Sequence, residues 1–208
     1  MLEANYAIVT PAECEPGYRE TAFGLMADFA AELKSEADAI AVRYGYFGTG
    51  SDAGGLVFTQ LYNELEGFEK ALGVMATSDS YQSLINSGKA KVISRNIVKL
   101  ARIPFEEKLN SDAKYLVFTL GEVNPADSNS VIEDMSRVSR VFANNGALTL
   151  RFGPLVTGSN AGKFLLGVSY PSMDAIEKTY DALLVDSDYK KLINKVNVTR
   201  REIIKLMS

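Results

Sequence analysis

The sequence contains no histidine and no tryptophan among its 208 residues. Histidine is the usual protein ligand for zinc, non-haem iron and haem, and the usual general base near neutral pH, so its absence removes those chemistries from this chain's own side chains. The carboxylates are scattered along the sequence and form no metal-binding loop. We therefore expect neither a metal site nor a bound cofactor.

Cysteine is almost absent, since Cys14 is the one thiol in the sequence. A single cysteine excludes an intramolecular disulfide and a thiolate metal cluster. The carboxylates of Glu13 and Glu15 flank it, and their charges are expected to raise the pKa of the thiol. The sequence therefore predicts an unreactive Cys14.

Long hydrophobic runs and an excess of positive charge are also missing. No apolar run reaches the roughly 18 residues that a membrane span needs, and the first residues show neither the basic region nor the hydrophobic stretch of a signal peptide. The net charge is −4 and the pI about 5.1, which disfavours nucleic-acid binding. With 47% hydrophobic and 23% charged residues, the composition is typical of a cytoplasmic globular protein with no nucleic-acid or membrane partner.

The stretch TGSNAGK, residues 157–163, has the composition of a phosphate-binding loop but not its spacing. Such a loop places four residues between its glycines and a Ser or Thr after the lysine, whereas here three residues separate Gly158 from Gly162, and Phe164 follows Lys163. A near copy, TGSDAGG at 49–55, has glycine in place of the lysine. We interpret both stretches as hairpin loops whose glycines serve the backbone, with Lys163 facing solvent or a nearby carboxylate.

These two loops lie 108 residues apart, and much of the chain aligns with itself at that offset. Between 39–86 and 147–194, 15 of 48 positions are identical without a gap, where about three are expected for unrelated segments. After a two-residue difference, VISRNIVKL (92–100) aligns with VTRREIIKL (198–206). The sequence therefore predicts two tandem repeats, 1–104 and 112–208, joined by an exposed linker.

Each repeat shows the pattern of a strand, a helix, a two-stranded hairpin, a second helical region with a break, and a last strand. We expect Asn63 and Ser172 to cap the second helix, and Ser78 and Asp186 to cap the helix after the break. The order β-α-β-β-α-β predicts two ferredoxin-like α+β domains, each with its helices on one face of an antiparallel sheet. Because the strands are apolar on both faces, the two open sheet faces are predicted to pack together.

In this element order, in its duplication and in the DSxY-like end of the second helix, nearly the whole chain resembles the dimeric α/β-barrel superfamily. That superfamily includes antibiotic-biosynthesis monooxygenases and uncharacterised stress-related families. The resemblance implies an intrachain α/β barrel, that is, a pseudo-dimer within one chain that can also form a homodimer. It is specific for the fold and carries little about activity.

With histidine absent, tyrosines and arginines are the candidate ligand-binding residues. Tyrosines on the hairpin strands can line a ligand space between sheet and helices or can simply be core; they are Tyr44, Tyr46, Tyr62 and Tyr170. Arg43 and Arg151 lie at the other alternating strand positions beside small residues. There they can form salt bridges between the repeats or bind an anion, together with Arg95 and Arg201 from the last strands.

Two functions remain open from the sequence. The first is binding of a small apolar or aromatic molecule without catalysis, or service as an assembly module. The alternative is a cofactor-independent monooxygenase or isomerase acting on a small aromatic substrate, with tyrosine and arginine stabilising an enolate or phenolate. The absence of histidine favours the first.

Overall fold

In a computed structural model of the protein, residues 4–108 and 112–207 are described. The chain forms two compact units. Unit 1 comprises Met1–Lys99, Val156–Ser159 and Leu206–Ser208, and unit 2 comprises Leu100–Leu155 and Asn160–Lys205. Both units are α+β, as the sequence predicts. The repeat boundaries at 1–104 and 112–208, and the packing of the two sheets into a barrel, stay predictions.

Unit 1 contains five strands and three α-helices in its described part. In chain order they are β1 (Tyr6–Cys14), α1 (Arg19–Glu36), β2 (Ala41–Phe47), β3 (Leu56–Tyr62), α2 (Leu65–Thr77), α3 (Asp79–Asn86), β4 (Ala90–Val92) and β5 (Asn96–Lys99). The predicted element order is confirmed, with one difference. The single last strand expected from the sequence is divided into β4 and β5.

The described part of unit 2 repeats this order with an undivided last strand. Its elements are β6 (Tyr115–Val123), α4 (Ser128–Asn144), β7 (Thr149–Pro154), β8 (Phe164–Tyr170), α5 (Met173–Val185), α6 (Ser187–Ile193) and β9 (Val196–Leu206). One-turn 3-10 helices at Pro16–Tyr18 and Pro125–Asp127 lead into α1 and α4. Proline suits the first turn of a helix because its missing amide has no partner to lose there.

Each unit has an antiparallel sheet with its first strand inside. In unit 1, β1 pairs with β3 on one side and with both β4 and β5 on the other, and β2 pairs with β3. In unit 2, β6 lies between β8 and β9, and β7 pairs with β8. When the strands of each unit are counted in chain order, with β4 and β5 taken together as the fourth, both units have the spatial order fourth, first, third, second of a ferredoxin-like domain.

Alternation along the strands decides which side chains meet the helices, since successive residues point to opposite faces. In unit 1 the core cluster takes Ile8 and Ala12 from β1, Val42 and Tyr44 from β2, and alternate residues of β3. Helix α1 covers them with a face spaced at three and four residues, namely Ala22, Phe23, Met26, Phe29, Ala30 and Leu33. Full burial of each large side chain contributes about 1.5–3 kcal/mol, so this layer is the main source of stability.

The division between β4 and β5 has a cause in the neighbouring strand. Pro11 lies in β1 opposite this region, and proline has no amide hydrogen to donate to a ladder. Its carbonyl still accepts from the Ile93 amide at 3.0 Å, but residues 93–95 leave the strand. The corresponding position of β6 is Leu120, and there β9 continues with only a register shift at Leu120/Gly121.

Three of the four predicted helix caps are confirmed. Ser78 accepts from the Tyr81 amide, Asp186 from the amides of Asp188 and Tyr189, and Ser172 from the Ala175 amide. The prediction for Asn63 is wrong, because α2 begins at Leu65 after Glu64, without a side-chain cap. The Asn63 amide oxygen instead accepts from the Asn5 Nδ2 at 2.8 Å, a long-range partner that competes with local capping.

Both glycine-rich stretches are hairpin loops, as predicted. Gly50, Gly54, Gly158 and Gly162 all have φ between 84° and 92°, the left-handed region that favours glycine. Lys163 Nζ lies 3.0 Å from Glu122 Oε1, so its partner is a carboxylate.

Within the described ranges, no helix has the length and apolarity needed to cross a bilayer. The same part of the chain contains no group of three or more Cys, Asp or Glu side chains arranged to hold a metal ion.

The loop at 157–163 allows a test of backbone strain with an internal control. Gly162→Ala is expected to cost about 1 kcal/mol, because only the positive φ opposes it and no atom lies near the new Cβ. Gly158→Ala is expected to cost more, about 2–3 kcal/mol, since its Cβ would also meet the buried Asn96 side chain. Urea denaturation of both variants measures the difference. Equal costs, or a Lys163→Ala cost above about 0.5 kcal/mol, would contradict this account of the loop.

A second test concerns Asp134, which is 2% exposed in α4 and accepts from Lys195 Nζ at 2.6 Å and from Arg137. Burial raises the pKa of this carboxyl, but the two cationic donors outweigh burial, so the pKa lies below its usual range. A lowered pKa contributes stability that is present above the unfolded-state pKa, near 4, and is lost as pH falls through the folded-state value.

Asp134→Asn should therefore lower the free energy of unfolding at pH 7 by about 2–3 kcal/mol. The free energy of unfolding of this variant should also decrease less between pH 5 and pH 2 than that of the wild type. Thermal unfolding at a series of pH values measures both effects. Asp174→Asn, which removes an exposed pair with Lys178, is the matched control and should change stability by less than about 0.5 kcal/mol. A pH profile of Asp134→Asn parallel to that of the wild type would refute the assignment.

Candidate functional site

An apolar cavity of about 50 Å³ lies within unit 1, between the sheet and its covering helices. Strands β1, β3 and β4 form its floor, and α1, α2 and α3 form its roof. Most of the lining side chains are aliphatic, aromatic or thioether, among them Met26, Phe29, Phe58, Met75, Leu84 and Ala90. Such a lining favours an apolar or aromatic guest.

The polar residues of the lining lie near one another, because β1 pairs Ile8 with Gln60 and Val9 with Asn96, which places Thr10 close to Gln60 and Arg95. We call this part of the cavity its polar end. Thr10 and Arg95 line it there, together with Tyr81 of α3 and Gln60 of β3. The Arg95 Nη2 donates to the Tyr81 hydroxyl at 2.8 Å, and the Tyr81 ring lies 4.9 Å from that of Phe29. These contacts fix the guanidinium group against the aromatic wall.

Two of these polar groups are buried without a hydrogen-bond partner among the described residues. They are the Thr10 hydroxyl, in a residue 7% exposed, and the Nε of Arg95. A buried donor left unpaired costs about 1–3 kcal/mol, so such groups in a cavity wall are suited to meeting a ligand. The other charged lining residue is Lys91, and no carboxylate lines the cavity.

Gln60 connects the cavity to a predicted site residue. Its side chain is 1% exposed, and its Oε1 accepts from the Tyr62 hydroxyl at 2.7 Å. Burial raises the pKa of Tyr62 well above the usual tyrosine value, so this hydroxyl stays protonated at neutral pH. Tyr62 therefore orients Gln60 from behind the cavity wall and is not itself a lining residue.

The other predicted tyrosines lie in the packed layers of the two units. Tyr44 is buried with its ring 6.3 Å from Phe58, and burial, together with the charge of Asp28, raises its pKa. Tyr46 lies under the Arg19 guanidinium at 5.0 Å. Tyr170 is fully buried in unit 2, and burial raises its pKa. None of the three lines the unit 1 cavity, and their role in ligand binding stays a prediction.

The two predicted arginines lie away from the cavity. Arg43 is half-buried in β2, where its carbonyl accepts from the Thr59 hydroxyl. Arg151 Nη2 lies 2.7 Å from Glu107 Oε2, within unit 2. Burial raises the Glu107 pKa, and the Arg151 charge and a Leu150 backbone hydrogen bond lower it in part.

Glu107 belongs to the segment that the sequence predicts to be an exposed linker. The described part of that segment is only partly exposed, and residues 109–111 lie outside the described residues.

Cys14 is half-buried at the end of β1, and burial is the main cause that raises the pKa of its thiol. The charge of Arg19 opposes this shift and that of Glu15 adds to it, so the predicted direction of the pKa shift is confirmed and its main cause is burial.

A wider depression of about 540 Å³ lies on unit 2 around Glu122 and Asn197, but it is open to solvent and its lining is half polar. Neither this depression nor the region around Cys14 combines an apolar interior with converging polar groups, as the unit 1 cavity does.

Thr10 and Tyr81 were not candidates in the sequence, and Arg95 was expected beside Arg43 and Arg151, neither of which lines the cavity. Thr10 and Gln60 look like ordinary strand residues, and Arg95 lies in a segment that aligns with a regular strand of the second repeat. The available signal was Pro11, whose missing amide interrupts the strand opposite it. A search for strand-breaking residues beside conserved-looking repeat positions would have pointed to this place.

Comparison with solved structures shows the fold. A protein described as a "putative monooxygenase" from Fusobacterium nucleatum has a TM-score of 0.76 and 13% identity over 100% of this chain and 94% of its own. One of the same description from Lactobacillus acidophilus has a TM-score of 0.69 and 11% identity over 99% and 94%. A variant chlorite dismutase from Candidatus Nitrospira defluvii has a TM-score of 0.62 and 10% identity over 99% and 92%.

At these identities the likeness concerns the ferredoxin-like α+β fold alone. It supports the coarse form of the predicted resemblance, and the narrower relation to one branch of the barrel superfamily stays a prediction. Among curated proteins, none matches the chain. A family model described as "Domain of unknown function (DUF6854)" matches residues 4–100 and 113–206. The chain belongs to this DUF6854 family.

Proposed function

We propose that unit 1 binds a small apolar or aromatic molecule in the cavity between its sheet and helices. The observation that carries this proposal is the combination of an apolar lining with polar groups gathered at one end. Ligand sites in proteins commonly have this composition, with apolar walls for affinity and few polar groups for orientation. The fold neighbours described as "putative monooxygenase" support a small-molecule role in general terms.

The size of the cavity limits its guest. A volume of about 50 Å³ holds only a few water-sized groups. Met26 and Met75 line it, and their unbranched side chains can change rotamer at low cost. A single aromatic ring can therefore be accommodated when these methionines move, whereas a fused ring system requires displacement of the helices.

Benzene is the neutral probe for this proposal. We expect it to give saturation-transfer NMR signals with the wild-type chain and to raise the melting temperature in proportion to RT ln(1 + [L]/Kd). Ala90→Leu, which places three further carbons in the cavity, should abolish both effects. Ala31→Leu makes the same change at an exposed position of α1 and should leave them intact. Equal benzene binding by both variants would place the guest elsewhere.

A catalytic role for the same cavity is the second candidate. The specific observation in its favour is the Arg95 guanidinium, held by Tyr81 at the end of an apolar space. A fixed cation in such a place stabilises negative charge that develops on a substrate oxygen, as a cofactor-independent oxygenase or isomerase requires. Dioxygen consumption in the presence of a hydroquinone, lost in Arg95→Gln and kept in Arg201→Gln, would favour catalysis over binding alone.

A further inference from the structure

The two units contain the same three polar residues in equivalent positions but connect them differently. Thr10, Tyr81 and Arg95 of unit 1 correspond to Thr119, Tyr189 and Arg201 of unit 2. Tyr81 and Arg95 align with Tyr189 and Arg201 in the repeated sequence. Thr10 pairs with Phe58 and Thr119 with Leu166, which are themselves counterparts in the repeat.

In unit 2 this set is internally satisfied. Arg201 lies directly opposite Thr119 in the β6–β9 ladder, and its Nε donates to the Thr119 hydroxyl at 3.2 Å. Its Nη2 donates to the Tyr189 hydroxyl at 3.3 Å, and the Tyr180 ring covers the guanidinium at 4.7 Å. Every group of the set therefore has a partner within the unit.

In unit 1 only the contact between arginine and tyrosine is made. The Nε of Arg95 and the hydroxyl of Thr10 have no partner among the described residues, although both line one cavity. The position of Tyr180 is occupied by Leu72, which is 48% exposed. Strand β5 begins at Asn96, directly after Arg95, so Arg95 lies just outside the paired strand, whereas Arg201 lies within β9 opposite Thr119.

The chemistry of the unpaired groups defines what can satisfy them. The Arg95 Nε is a donor only, and the Thr10 hydroxyl can donate as well, so both suit an acceptor oxygen. The guanidinium is always charged, and the described residues give Arg95 no carboxylate partner within 4.0 Å. An anionic oxygen meets both requirements, and charge-assisted hydrogen bonds are about twice as strong as neutral ones.

We propose that the ligand of the unit 1 cavity is a small carboxylate with an apolar or aromatic body, whose carboxylate accepts from Arg95 Nε and Thr10 Oγ1 while its body lies among Phe29, Phe58 and Met75. This inference rests on the proposed binding function and adds the class of ligand. Tyr81 is a positioning residue, because it acts through Arg95. In unit 2 the corresponding Arg201 Nε already donates to the Thr119 hydroxyl, so this pair of groups does not need such a ligand.

Benzoate and benzamide are matched probes for the test, since they share a ring and differ in charge. Titration calorimetry of the wild-type chain should show benzoate binding at least tenfold more tightly than benzamide. Arg95→Gln should weaken benzoate binding at least tenfold, and Thr10→Val about threefold to tenfold, with little change for benzamide. The unit 2 counterparts Arg201→Gln and Thr119→Val should leave the benzoate affinity unchanged.

Stability provides a second readout that does not need a ligand. Thr10→Val removes a hydroxyl that has no partner, so the melting temperature of the free chain should stay the same or rise. Thr119→Val leaves Arg201 Nε without its acceptor and should lower the melting temperature. A fall for Thr10→Val as large as that for Thr119→Val would show that the Thr10 hydroxyl is already paired, and would overturn the inference.

The outcomes separate this inference from the proposed function. If benzene and benzamide bind but benzoate binds no more tightly, or if Arg95→Gln binds benzoate as the wild type does, the cavity is a binding site and the carboxylate assignment is wrong. If none of the three probes binds, and Ala90→Leu has no effect on any titration, the proposed function itself fails. Loss of benzoate binding in Arg201→Gln with retention in Arg95→Gln would place the anion in unit 2 and contradict the inference.

Discussion

The hydrogen-bond ladder along the first strand of each unit is the constraint on which the rest of the structure depends. In unit 1, β1 pairs on one side with β3 and on the other with β4 and β5. Its register therefore determines which side chains of the neighbouring strands point toward the helices. A shift of one residue would send Ile8, Thr10 and Ala12 to the face opposite the helices. The core layer, the cavity and its polar end all follow from this register.

The same ladder explains why two units with similar sequences differ in their polar groups. Both last strands change register at the equivalent place, but β9 stays continuous opposite Leu120, whereas residues 93–95 leave the strand opposite Pro11, which has no amide hydrogen to donate. In unit 2 the continuous ladder brings an arginine and a threonine into hydrogen-bond contact. In unit 1 the Arg95 Nε and the Thr10 hydroxyl have no hydrogen-bond partner among the described residues, and both residues line the apolar cavity. The two units thus differ in their polar contacts at the place where they differ in the continuity of the last strand.

Local features were the part of the structure that the sequence predicted well. The caps at Ser78, Ser172 and Asp186 depend on residues within three positions, and the positive φ of Gly158 and Gly162 depends on the turn alone. Distant partners were the part that it missed. Asn63 is engaged by Asn5, and Arg151 by Glu107, across 58 and 44 residues. The meeting of Thr10 and Arg95 in one cavity was missed for the same reason, because it joins residues more than 80 positions apart.

Helix α3 forms part of the cavity wall and bears on how the proposed ligand would enter and leave. It is eight residues long, Ser80 is its one fully buried residue, and Ser78 both ends α2 and caps α3. A helix of two turns has little stability of its own, so α3 is held in place by a few tertiary contacts, such as the hydrogen bond from the Ser80 hydroxyl to Glu32 of α1. Such an element opens locally far more often than the domain unfolds. The rate of ligand exchange would then be set by fluctuations of this short helix, and no permanent channel to solvent is needed.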